Sequence, residues 1–168
     1  MAEKILRYDF DVLSEDGSDN LTQTLRNLLN EYPFLSSRDI VEFQVLDTTK
    51  GIAMFPNPSV AILTEKEDVI GHVTQTCAYA FTVVYRTRST DKEYVKEWLD
   101  NLGRWLEKQA INKDYSEYKL ESYPALAEGK EFLKVSRSTQ SYLYGTTEDK
   151  AEDWAISMQA TYRNEFDR

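Results

Sequence analysis

Residues 77–86 read CAYAFTVVYR, and the reading of this stretch decides the fold. Tyr79, Phe81, Val83 and Tyr85 alternate with Ala80, Thr82, Val84 and Arg86, the period of two that sends successive side chains to opposite faces of a strand. Extended outward, the segment from Val69 to Arg88 predicts a long central strand with one large apolar face and one small, mixed face of Ala78, Ala80, Thr82, Val84 and Arg86. Upstream, VAIL at residues 60–63 predicts a short strand joined to it as a hairpin across the polar TEKED. Before that, IVEFQVL at 40–46 is β-rich and DTTKG reads as a turn. Pro56 and Pro58 cannot both donate to a ladder, so residues 52–59 predict a loop or edge that exposes Met54 and Phe55.

Two helices flank this region. Leu21, Leu25, Leu28, Leu29 and Tyr32 fall on one stripe, opened by a capping-box pattern at Asn20 and Gln23 and closed by Pro33. Downstream, Thr90 and Glu93 make a second capping pattern, and Tyr94, Val95, Trp98, Leu99, Leu102, Trp105 and Leu106 keep helical spacing to about Gln109. Alternation over residues 6–12 predicts a further strand, and residues 111–130 read as irregular. The segments EFLKVSRSTQSYLY and DWAISMQATYR then predict two strands separated by GTTEDKAE.

The order predicts an α+β fold in a single domain, residues 1–168: a mostly antiparallel sheet of five to six strands with two helices packed on one face. The other face is either plain solvent surface or a contact with a neighbour. In the closing EDWAISMQATYRNEFDR, Trp154, Ile156, Met158 and Tyr162 form the core-facing side of a strand whose edge could pair with another subunit. Its tag RNEFDR is either frayed or a contact through Phe166.

Composition narrows the function classes. Hydrophobic content of 41% and aromatic content of 12% are those of a folding chain. A net charge of −9 opposes gripping nucleic acid or anionic membranes, because both need cationic neutralisation of phosphate. The single Cys77 allows no internal disulfide, and there is no apolar run of membrane-spanning length or signal-peptide type, so a reducing, soluble compartment is expected. His72 is the lone imidazole, without a serine elbow nearby or the His and Cys spacing of a metal site. Isolated glycines make no phosphate loop. The acids Glu148, Asp149, Glu152 and Asp153 lack EF-hand spacing, but could serve a carboxylate-dependent hydrolase if they lined a pocket with raised pKa values. The chain is therefore expected to work by contact, with no catalytic residue, metal or cofactor.

The segment CAYAFTVVYRTRSTDKEYVKEWLDNLGRWLEKQ, the YPAL after it and the closing EDWAISMQATYRNEFDR together resemble the tail terminator and minor capsid proteins of tailed bacteriophages of Gram-positive hosts. That resemblance implies a virion structural protein, assembled in the host cytoplasm and located at the head-proximal end of the tail. Copies would form a ring, usually a hexamer, that caps the tail tube, stops its polymerisation and docks the head connector or stopper protein. DNA would pass through without specific binding, and no membrane partner or cofactor is implied. A head-completion or connector role is the alternative. The loops expected to make contacts, or else to be plain surface, are residues 50–58 with Met54 and Phe55, residues 64–72 with Glu65, Lys66, Glu67 and Asp68, and the tail from Asn164 with Phe166 and Arg168.

Overall fold

The computed structural model describes residues 21–88 and 92–168. The strand expected at 6–12 and the capping residues Asn20 and Thr90 lie outside them. The order is α1 (Leu21–Leu29), β1 (Val41–Phe43), β2 (Gly51–Pro56), β3 (Ile62–Glu67), β4 (His72–Thr87), α2 (Lys92–Leu106), β5 (Ile111–Lys113), β6 (Ser116–Tyr118), β7 (Lys130–Arg137), β8 (Tyr142–Thr146) and β9 (Glu152–Asp167). The fold is α+β, as expected, but the sheet has seven strands and a second sheet of two lies beside it.

The two alternating stretches become one ribbon. β4 and β9, 16 residues each, pair antiparallel from His72↔Asp167 to Thr87↔Glu152. Phe81 stands opposite Met158, Val83 opposite Ile156 and Tyr85 opposite Trp154, so the two apolar parities share a face. Each long strand carries two short ones on its outer side. β3 lies along the first half of β4 and β2 along the second. β7 and β8 divide β9 in the same way, and β1 joins β2 in parallel. β9 is thus an interior strand paired on both sides, not an edge awaiting a neighbour, and RNEFDR continues it to Asp167 rather than fraying.

Three further differences have local causes. The single strand expected over 131–144 is two, because Ser138 N and Thr139 N both donate to Ser157 O while Ser141 N donates to Asp100 Oδ1 at 2.9 Å, pulling the chain off β9 toward α2. The 111–130 segment contains the β5–β6 hairpin, whose turn places Asp114 and Tyr115 at φ 50° and 65°. A tyrosine at positive φ carries none of the Asn-Gly chemistry by which such a turn is read. Met54 is fully buried, since β2 is an interior strand and Pro56, at its last position, withholds a donor only where the pairing ends.

One hydrophobic cluster takes in Leu25, Leu28 and Leu29 of α1, Val95, Trp98, Leu99, Leu102 and Leu106 of α2, and Ile52, Met54, Phe81, Val83, Ile156 and Met158 of the sheet. The α1 stripe is buried as its spacing predicts. Asn30, rather than Pro33, ends that helix: its Nδ2 donates to Arg26 O at 2.9 Å and its Oδ1 accepts from Val41 N at 2.8 Å, tying the last turn to β1. Tyr32 bridges the helices, its hydroxyl donating to Trp98 O at 2.9 Å with the rings edge to face at 4.9 Å. Burial pushes this phenol far above its ordinary pKa, so it stays a donor. α2 stops at Leu106, short of Gln109, where Lys108 takes a left-handed φ of 64°. Tyr94, expected on its apolar face, is exposed.

Gly129 is required at the entry to β7. Its φ is 82°, its carbonyl accepts from Glu165 N at 2.7 Å, and a Cβ there would sit 2.6 Å from the backbone oxygen of Glu165. Gly129→Ala is expected to cost about 2 kcal/mol, because left-handed strain adds to a backbone clash that no side-chain motion relieves. Urea melts check the stability, and amide exchange should show the loss concentrated at Lys130 and Glu165.

Candidate interaction surface

Six of the eight residues selected from sequence come together at one end of the ribbon. Glu65, Lys66 and Glu67 lie on β3, Asp68 opens the turn into β4, and Phe166 and Arg168 stand on and just after β9. The register across three strands aligns Glu67, Val73 and Phe166, and likewise Glu65, Gln75 and Asn164. Residues 64–72 are therefore mostly strand and tight turn, not the loop expected. Phe55 is half-buried on β2, away from this end, and Met54 is in the core, so neither belongs to the same surface.

Polar cross-links hold the three strands in register. Gln75 Nε2 donates to Glu65 Oε1 at 2.7 Å and Asn164 Nδ2 donates to Gln75 Oε1 at 3.2 Å. Arg168 reaches Glu67 Oε2 at 2.8 Å through Nη1 and Glu65 Oε1 at 3.4 Å through Nη2, while its backbone N donates to Gly71 O at 2.8 Å. Arg163 pairs with Glu131 of β7. Exposed pairs of this kind contribute little singly, about 0–1 kcal/mol, but a connected set limits the ways the strands can splay.

The turn between β3 and β4 is stiff. Asp68 Oδ1 accepts from Ile70 N at 3.0 Å and His72 N at 2.9 Å, and Gly71 closes the turn at φ 88°. This geometry holds Val69 and Ile70 in solvent, at 103% and 85% exposure. Both lie within the expected contact stretch 64–72, but only its charged residues were singled out; the available signal was an apolar dipeptide enclosed by Asp68 and Gly71, where turn chemistry favours polar residues.

His72 Nδ1 lies 2.9 Å from Asp167 Oδ1 at the same end of the ribbon, on the opposite parity. The hydrogen bond to Asp167 raises the imidazole pKa above its ordinary value, with Glu165 and Asp68 adding in the same direction. Because the folded pKa is the higher one, the stabilisation is complete below the unfolded value of about 6.5 and is lost as pH rises through the folded pKa. An NMR titration of His72 should show the raised midpoint, and Asp167→Asn should return it toward that of a free histidine.

The late acids do not converge. Asp153 is held by Arg86 through two bonds, Nε to Oδ1 at 2.7 Å and Nη2 to Oδ2 at 2.9 Å. Glu152 accepts from Lys92 at 2.8 Å and from Trp154 Nε1 at 3.1 Å, and these bonds hold its pKa below the usual carboxylate value, opposite to what a general acid needs. Glu148 and Asp149 are exposed in the β8–β9 turn. Among the described residues no group of three or more His, Cys, Asp or Glu could hold a metal ion, and no helix is long and apolar enough to cross a membrane.

At the far end of the ribbon two concavities flank Arg86. The larger, 560 Å³, is lined by residues of both charges, among them Arg38, Asp39, Glu42 and Lys50. The smaller, 240 Å³, lies on the parity opposite the apolar cluster, with Leu46, Phe55, Val84 and Tyr144 as apolar lining and the Arg86–Asp153 pair at its rim. Beneath that parity, Ala53 and Ala155 are fully buried. No protein-family model matches the chain, and no curated protein matches it.

Proposed function

We propose that this chain is a structural virion protein of the head–tail junction of a tailed phage, a tail terminator that forms a ring on the end of the tail tube. In this reading the ring, a hexamer, stops tube polymerisation and offers a docking surface to the head connector. Both helices cover one face of the sheet; on the other parity Ala78, Thr82, Val84, Ala155 and Thr161 are already buried, and Ala80, Ser157 and Gln159 remain partly exposed for contact with neighbouring subunits. The observation that carries the reading is the stiff end of the ribbon, where Val69 and Ile70 are held out by Asp68 beside a cross-linked polar surface. An ordered apolar tip rimmed by charge is the arrangement of a protein contact, as apolar groups are costly to hold in water and gain when covered. The sequence resemblance points to the same class, and the −9 charge leaves DNA free to slide through the ring. The protein belongs to the virion after assembly in the host cytoplasm.

The test is tube assembly. Purified tail tube protein polymerised with this chain should give capped tubes of limited length in negative-stain images. Tubes of unchanged length without bound chain would overturn the terminator role. Binding to connector protein without any effect on tubes would assign head completion instead.

A further inference from the structure

We propose that Val69 and Ile70 of one copy seat in the cleft between Phe55, Val84 and Tyr144 of a second copy, so that subunits join head to tail. Within the ring reading above, on which it rests for closure of the ring, this names the self-contact. The molecule carries both halves of the contact. At one end stand two apolar side chains almost wholly in water, on a turn fixed by two hydrogen bonds to Asp68. At the other end is a 240 Å³ cleft with Leu46, Phe55, Val84 and Tyr144 as apolar walls and Asn57, Thr82, Arg86 and Asp153 as polar lining, large enough to admit aliphatic side chains.

The two halves cannot meet within one molecule. The tip precedes His72 and the cleft lies at Thr82–Arg86, roughly 35–45 Å away along a strand rising about 3.3 Å per residue. β4 is paired through that span with β9 and cannot fold back. A knob and a hole on different patches make a heterologous contact, which repeats from copy to copy and closes into a ring or extends as a filament. The cleft's two charges, Arg86 and Asp153, are bonded to each other, so an uncharged apolar tip entering it meets no unpaired charge. Tyr142 and Tyr144, with ring centroids 6.4 Å apart, extend the apolar wall beyond the cleft mouth.

The test is disulfide trapping in tube-free solution at high protein concentration. Ile70→Cys and Tyr144→Cys in one chain should give a ladder of linked species on a non-reducing gel. It should form at least tenfold faster than with Ile70→Cys and Tyr115→Cys, whose second site is a fully exposed tyrosine elsewhere. Val69→Asp with Ile70→Asp, both on an exposed turn, should fold normally and weaken self-association at least tenfold in sedimentation. Equal trapping rates at the two sites, no ladder at all, or trapping of Tyr144→Cys by tube protein and not by Ile70→Cys would each overturn the contact. A ladder without tube capping keeps the contact and removes the terminator role; capping without a ladder does the reverse.

Discussion

Phe81→Ala is expected to lower the unfolding free energy by about 3–5 kcal/mol, a large part of what a domain of this size has to lose. Phe81 is fully buried in the middle of β4, opposite Met158 on β9 and Pro56 on β2. The strand is held by ladders on both sides, so the backbone cannot move in to fill the space the ring leaves. The cost is therefore the lost transfer of the ring plus an unrelaxed cavity. A urea melt should show the midpoint falling with the slope unchanged, since the same surface is exposed on unfolding. Phe81→Leu, which refills most of the volume, should cost only about 1 kcal/mol. A loss below that for the alanine variant would mean that the core is not centred on this ribbon.

The second large effect is expected at the Arg86–Asp153 pair. These residues face each other directly across β4 and β9, and their side chains are only 20% and 13% exposed. Arg86 also donates to Asp47 O at 2.9 Å, so one guanidinium ties three segments. Removing Asp153 alone leaves a mostly buried cation with a single carbonyl partner. Asp153→Ala should cost about 2–4 kcal/mol, discounted from a fully buried pair for the remaining solvent access. Replacing both residues with apolar ones, Arg86→Met with Asp153→Leu, should recover most of that loss, because no unpaired charge is left behind. A double variant as unstable as the single would show that the pair stabilises by geometry at Asp47 rather than by mutual neutralisation.

The same face-to-face pairing explains how much could be read in advance. Strict alternation in CAYAFTVVYR and in DWAISMQATYR identified both long strands and their buried parity, since a half-covered sheet leaves no other periodicity open. The α1 and α2 stripes were legible for the parallel reason at helical period. Of the candidate surface, the charged half was visible in sequence: Glu65, Lys66, Glu67 and Asp68 lie on or beside β3, and Phe166 and Arg168 arrive on the neighbouring end of β9. Val69 and Ile70, though inside the expected 64–72 stretch, were not singled out, because an apolar pair looks the same in sequence whether a turn exposes it or a core hides it. Met54 shows the converse. Two prolines nearby suggested exposure, yet where a proline falls along its strand matters more than its presence.

What the sequence by itself determined was parity: which side chains share a face on each strand and helix, and hence an α+β domain with one apolar core. That information is local, carried by residues two, three and four apart. Beyond the β3–β4 hairpin, which the sequence also announced, the strands that lie side by side were decided only in the tertiary structure. β1 runs parallel to β2, β9 lies inside the sheet, and β7 parts from β8 where Ser141 binds Asp100, all through partners 11 or more residues away. Pairing depends on backbone groups that every residue carries alike, so the side-chain pattern that announces a strand does not say which strand will complete it.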